Sequence, residues 1–254
     1  MKPALPERGG STRATAAATD RPPVLLLHGW GGSFRHTWQR LGWVERLAAA
    51  GYPVIGPDLP GHGVAQAAHD PLAYADIAHE VDRLVGHHRG VIGIGYSLGA
   101  KLLLTLATRH PDLFRQLVLI GIGDNAFKPL GASEALARAL REGLPSDTPP
   151  ALARLIADVR ASGNDPEAMA ACITRPQESP LTEAQLAPLT VPTLIANGTE
   201  DRFVLPQERL LAALPSAETV MFDGFDHMDV VGRPEVMDAV LARLNRELAR
   251  SDQT

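Results

Sequence analysis

The stretch that most constrains this chain is Val91-Ile92-Gly93-Ile94-Gly95-Tyr96-Ser97-Leu98-Gly99-Ala100-Lys101. A short apolar run suited to a buried strand enters Gly-x-Ser-x-Gly, and an apolar segment of helical period, Leu102 to Arg109, leaves it. Strand, one sharp turn and helix form the context in which a serine is held at the apex of a nucleophile elbow. The apex backbone is strained, so its flanks must be small, and Gly95 and Gly99 meet that demand. A helix starting behind Ser97 brings unpaired backbone N–H groups and the positive end of its dipole towards the serine oxygen. Ser97 is the candidate nucleophile; a plain strand-to-helix turn is the competing reading.

Short apolar runs and helical stretches alternate on both sides of this elbow. Strands are expected at Val24–Leu27, Val54–Ile55, Leu117–Ile120, Thr193–Ala196 and Thr219–Phe222. Helices are expected at Trp38–Ala50, stopped by Gly51, at Tyr74–Val85 and at Pro234–Ala249. Such alternation implies an α/β fold: a doubly wound, mainly parallel sheet of about six strands with helices on both faces. It breaks once. Between Gly121 and Pro188 only helix-like pieces occur, at Ser133–Glu142, Pro150–Ala161 and Pro166–Cys172. The expected organisation is a core of residues 21–122 and 188–254, with a helical lid inserted at 123–187. Surface helices packed on the sheet are the alternative to a lid.

The 254 residues suffice for one such domain, and 45% hydrophobic with 21% charged residues is ordinary for a globular protein. A net charge of −5 argues against nucleic acid or an anionic membrane as partner. The single cysteine, Cys172, excludes an intramolecular disulfide. No run approaches the ~18 apolar residues of a membrane span. Residues 1–20 are rich in Ala, Thr, Gly and Pro and lack the apolar stretch of a secretion signal. They are expected to be a disordered leader on a cytoplasmic protein.

A serine hydroxyl needs a base to take its proton as it attacks. Of nine histidines, His227 alone follows the last expected strand, on a loop at the end of the sheet where the elbow also opens. His36, His69, His79, His87, His88 and His110 fall in helical or loop stretches with solvated neighbours. His227 needs a carboxylate to fix its tautomer. Asp201, just past the Thr193–Ala196 strand, is the candidate; Glu200, Asp223 and Asp226 compete.

With these residues in place, the chain resembles the α/β-hydrolases from about Pro23 to Leu248. His28-Gly29-Trp30-Gly31-Gly32 resembles the family's H-G-x-x-G turn, and Asp58-Leu59-Pro60-Gly61-His62-Gly63 its D-x-x-G-H-G segment. Gly198-Thr199-Glu200-Asp201 resembles the G-x-x-D that supplies the acid, and Gly224-Phe225-Asp226-His227-Met228 the loop carrying the histidine. The order Ser, Asp, His is that of the superfamily. The resemblance implies a backbone-turn role for His28 and His62. It also implies an oxyanion hole formed by the N–H groups of Trp30 and Leu98. The family's usual pair of antiparallel strands before the H-G strand is expected to be missing or reduced, because residues 1–23 hold few strand formers.

Trp30, Phe34, Tyr96, Leu98, Phe127, Met169, Phe203 and Met228 are the candidate lining of a substrate pocket between lid and elbow, with Phe127 and Met169 equally suited to lid core. No Arg or Lys cluster marks a carboxylate or phosphate clamp, so the lining favours a small or medium, mostly apolar acyl group. The resemblance implies a carboxylic ester hydrolase working through an acyl-serine intermediate, with an ester or lactone as substrate and neither metal nor cofactor. Alternatives are C–C bond hydrolysis or perhydrolysis by the same triad, and a non-enzymatic ligand-binding protein on the same fold.

Overall fold

The computed structural model describes residues 20–85, 87–129, 133–176 and 179–251. The expected leader lies almost wholly outside them. Six strands form one sheet: β1 (Val24–Leu27), β2 (Val54–Ile55), β3 (Val91–Tyr96), β4 (Phe114–Ile120), β5 (Thr193–Gly198) and β6 (Ala217–Phe222). Their order is β2-β1-β3-β4-β5-β6, and every pairing is parallel. No antiparallel strand joins the sheet among the described residues; residues 1–19, where the family's antiparallel pair was expected to be missing or reduced, lie outside them.

Side chains alternate across a strand, so successive apolar residues feed two different cores. Leu25, Leu27, Leu117, Leu119 and Ile195 face a core shared with α2 (Ile77–Val85) and α3 (Leu98–Arg109). Val24, Leu26, Ile92, Ile94, Val118 and Leu194 face the other, shared with α1 (Trp43–Ala49) and the C-terminal helix at Pro234–Ser251. Continuous apolar runs rather than alternation follow from burial of the sheet on both faces.

The expected helix at 38–50 is two elements. Phe34–Gln39 forms a wide π-type turn, with Arg40 N–H donating to Arg35 O, and α1 starts only after Gly42, at φ +88°. Trp38 and Trp43 are both buried and meet edge to face at 5.5 Å, so the apolar pattern ran on across the break. The helix expected from Tyr74 begins instead at Ile77, after a 3-10 turn at Pro71–Tyr74.

Between β4 and β5 lie a 3-10 turn (Asp124–Phe127), α4 (Ser133–Glu142), α5 (Pro150–Ala161), α6 (Pro166–Ile173) and the short α7 (Glu183–Leu186). Helices α4, α5 and α6 bury a separate core that includes Leu140, Ile156, Val159, Met169 and Ile173. After β5 come α8 (Glu208–Ala213), then β6, α9 (His227–Val230) and the C-terminal α10 (Pro234–Ser251). No described helix is long and apolar enough to cross a membrane.

The chain runs from β1 outward to β2, then returns past β1 to β3 and proceeds the other way. The crevice at the carboxyl ends of β1 and β3 is therefore the switch point of the sheet, where ligands bind in open α/β folds. The His28–Gly32 turn leaves β1 there, and Ser97 leaves β3 there, with Leu27 opposite Gly95 in register.

Candidate active site

Ser97 occupies φ +54°, ψ −113°, and is the one non-glycine residue at positive φ among the described residues. Such a conformation costs about 1–3 kcal/mol and persists only where its surroundings enforce it. Here they do. A Cβ on Gly99 would meet Leu27 O at 2.0 Å, and one on Gly95 would meet the Gly99 and Ala100 backbone at 2.7 Å. Gly-x-Ser-x-Gly is thus a packing requirement: helix α3 must start hard against the ends of β1 and β3. Ser97 N–H donates to Ile120 O at 2.8 Å, tying the apex to β4.

Ser97, His227 and Asp201 converge from the ends of three strands. Ser97 Oγ lies 3.1 Å from His227 Nε2, and His227 Nδ1 lies 2.7 Å from Asp201 Oδ2. Asp201 is fully buried, and its other oxygen accepts from Phe203 N–H at 3.1 Å, so both oxygens are engaged. A carboxylate facing Nδ1 assigns the proton to Nδ1 and leaves Nε2 free to accept from the serine.

The competing carboxylates are placed elsewhere. Glu200 is exposed, and Asp223 Oδ1 takes Thr199 Oγ1 at 3.2 Å. Asp226 caps α9, accepting from Met228 and Asp229 N–H at 2.9 Å each. Its second oxygen takes Arg154 of α5 at 2.5 Å, while Asp229 takes the same guanidinium at 2.9 Å.

The His227 ring is boxed by aromatic and glycine neighbours. Tyr96 and Phe203 lie 5.1 and 5.3 Å from it between ring centres. The Tyr96 hydroxyl donates to His227 O at 3.0 Å; burial, then the nearby Asp201 charge, push its pKa well above the ordinary phenol value, keeping it a donor. A Cβ on Gly121, at φ +66°, would sit 3.0 Å from His227 Cε1 and press on the ring. Nothing in the sequence pattern singled out Gly121.

The β1 turn is held by two buried histidines. His28 Nε2 accepts from Leu59 N–H and His62 Nε2 from Gly31 N–H, each at 3.0 Å, while their Nδ1 atoms reach Gly29 O and Pro60 O. Complete burial lowers their pKa values to about 4 and about 3, so both stay neutral and keep an acceptor nitrogen. Gly32 N–H closes the turn onto Gly29 O at 3.1 Å. Among the described residues, the N–H groups of Trp30 and Leu98 donate to no protein acceptor, the condition an oxyanion hole requires.

The expected pocket lining separates. Phe34 belongs to the α1-side core, its ring seated against Gly56, and Phe127 belongs to the α3-side core beneath the Arg209 guanidinium at 4.1 Å. Met169 is fully buried in the core of the insertion. These three side chains are taken up by packing, because helix and turn periodicity alone cannot tell a core face from a pocket face. Trp30 is half-buried, its indole N–H donating to Met169 O at 3.2 Å, and Phe203 is 39% exposed beside His227. Tyr96 and Met228 line a cavity of about 330 Å³ between the π-type turn, α5 and α9. Its wall also carries Arg40 and Arg154, cations far apart in sequence that only the fold brings together. His36, expected among solvated neighbours, is buried there and bonds Asp158 of α5 at 3.1 Å.

A doubly wound sheet with serine, aspartate and histidine after β3, β5 and β6, in that chain order, defines an α/β-hydrolase fold. The chain belongs to the alpha/beta hydrolase family, whose sequence profile matches residues 24–240. Protein ABHD8 of Homo sapiens is 27% identical over 245 residues, 86% of this chain and 54% of that protein. A pimeloyl-(acyl-carrier protein) methyl ester esterase of Neisseria meningitidis is 38% identical over 141 residues, 54% of this chain and 47% of that protein. The chain thus spans about half the length of these curated relatives. Among solved structures, MenH from S. aureus aligns with TM-score 0.72 at 22% identity, covering 93% of this chain and 98% of that one. A thermophilic esterase from Thermogutta terrifontis aligns with TM-score 0.65 at 23% identity, covering 94% and 99%. At these identities the structural likeness is one of fold.

Proposed function

We propose that the protein is a serine hydrolase that cleaves a carboxylic ester or lactone of small to medium, mostly apolar acyl group. The observation that carries this reading is the unbroken chain from Asp201 Oδ2 through His227 to Ser97 Oγ, at 2.7 and 3.1 Å. Ser97 attacks the ester carbonyl as its proton passes to His227 Nε2. Asp201 holds the imidazole and stabilises the imidazolium that forms. The N–H groups of Trp30 and Leu98 receive the charge that develops on the carbonyl oxygen. His227 then returns the proton to the leaving alcohol, and water, activated by the same nitrogen, deacylates Ser97.

The esterase names carried by one curated relative and one structural neighbour agree with this chemistry. Residues 123–187 act in it as a cap over the strand ends: Val159 fills the space above Gly31, and Trp30 bonds α6. The test is hydrolysis of p-nitrophenyl esters from acetate to octanoate by the wild type and by Ser97→Ala. Turnover that vanishes in the variant is expected, with a chain-length optimum that sizes the acyl site. Wild-type activity retained by Ser97→Ala would remove the reading.

A further inference from the structure

We infer that Asn164, in the loop between α5 and α6, is a positioning residue that holds the oxyanion turn in its donating conformation; this rests on the serine hydrolase reading above. One side chain ties three backbone groups from two loops. Asn164 Nδ2 donates to Gly31 O at 2.9 Å and to Gly32 O at 2.8 Å, while Oδ1 accepts from Gly63 N–H at 2.7 Å. An amide is the side chain suited to this: two donors for two carbonyls, one acceptor for one N–H. Asn164 is itself fixed by its own N–H, which donates to Ser162 Oγ at 3.2 Å, and Asp165 beside it caps α6.

The link to the oxyanion runs through peptide planes. The Trp30 N–H shares a rigid plane with Gly29 O. Gly29 O is held by Gly32 N–H at 3.1 Å and approached by His28 Nδ1 at 2.8 Å, so the position of Gly32 sets where the Trp30 N–H points. Asn164 fixes Gly31 and Gly32 each through its own carbonyl, and the Gly31 carbonyl shares a peptide plane with the Gly32 N–H, while His62 takes Gly31 N–H at 3.0 Å. Core histidines hold one side of the turn and a cap amide holds the other. Gly31, at φ +77°, has no side chain to brace itself, and the turn depends on those outside bonds.

Asn164→Asp keeps the acceptor for Gly63 but sets a carboxylate against two carbonyl oxygens, with almost no change of shape. The experiment compares wild type and Asn164→Asp by ester kinetics, by inhibition with a phenylboronic acid, whose tetrahedral serine adduct places an oxygen in the oxyanion site, and by amide hydrogen exchange. Removing an oxyanion donor outright lowers turnover by about 10²–10³, so misdirecting one is expected to lower kcat by about 10- to 100-fold. KM should stay within about twofold, the boronate inhibition constant should rise in step with the loss of kcat, and the pH profile should keep its shape. Exchange should quicken at residues 29–33 and stay unchanged in β3 and β4. Equal kcat, or faster exchange spread over the whole sheet, would overturn the assignment. If the wild type neither turns over esters nor binds the boronate, the hydrolase reading fails on its own. Exchange at 29–33 then decides the clamp: unchanged in Asn164→Asp, it overturns the clamp too.

Discussion

Gly99 and Ser97 are two residues of one motif, yet substitution at each should act on a different property. Ser97→Ala removes only the proposed nucleophile and leaves the elbow contacts intact. Turnover should be abolished, with a urea midpoint near that of the wild type. Gly99→Ala drives a Cβ to 2.0 Å from Leu27 O, backbone that cannot rotate away. Overpacking of this kind typically costs about 1–3 kcal/mol, occasionally more, and urea unfolding should show at least that loss. A Gly99→Ala protein as stable as the wild type would contradict the packing account. Both residues were legible in the sequence because the motif has fixed spacing between a strand and a helix. Asn164 was not: a lone asparagine between helices has no periodicity, and its partners, Gly31, Gly32 and Gly63, lie far away in the chain.

Helix α5 meets the elements of the candidate site at several points, and the strengths of these contacts differ with exposure. Arg154 spans Asp226 and Asp229, the residues that start α9 around His227. The Arg154 side chain is 48% exposed, so the pair is screened by water and salt. Arg154→Ala should cost no more than about 1 kcal/mol in urea unfolding, with less loss at high salt. A loss above about 3 kcal/mol would mean that the clamp bears on the fold itself. The helices of the insertion were legible at α4 and α5 to the residue, where proline, glycine and apolar spacing agree. The 38–50 region was not, because Trp38 and Trp43 face one core across a break that leaves their apolar spacing intact.

Over the whole molecule, the two buried histidines tie stability to pH. His28 and His62 fall from the ordinary 6.5 to about 4 and about 3 in the folded state, so the unfolded chain takes up protons first as pH drops. Their contribution is complete above about pH 6.5 and is lost progressively on the way down to about pH 4 and 3. His88 is shifted the same way, whereas the lowered carboxylates Asp165, Asp229 and Glu183 begin to act only below their ordinary 3.8 or 4.5. Urea midpoints should therefore fall between pH 6.5 and 5, before those carboxylates titrate. A midpoint that holds or rises over that interval would contradict the neutral assignment. The sheet was legible in outline because strands buried on both faces give dense apolar runs. The substrate pocket was not, because a side chain at helical spacing fits a core or a cavity equally well. Phe34, Phe127 and Met169 went to cores.

The central claim is that Ser97 is made nucleophilic by His227 and Asp201. Its most direct test is peptide mass analysis after reaction with a fluorophosphonate. The account predicts one phosphonyl group per chain, carried on Ser97 and absent from His227→Ala. No adduct, or an adduct on another residue with Ser97 unmodified, would contradict it.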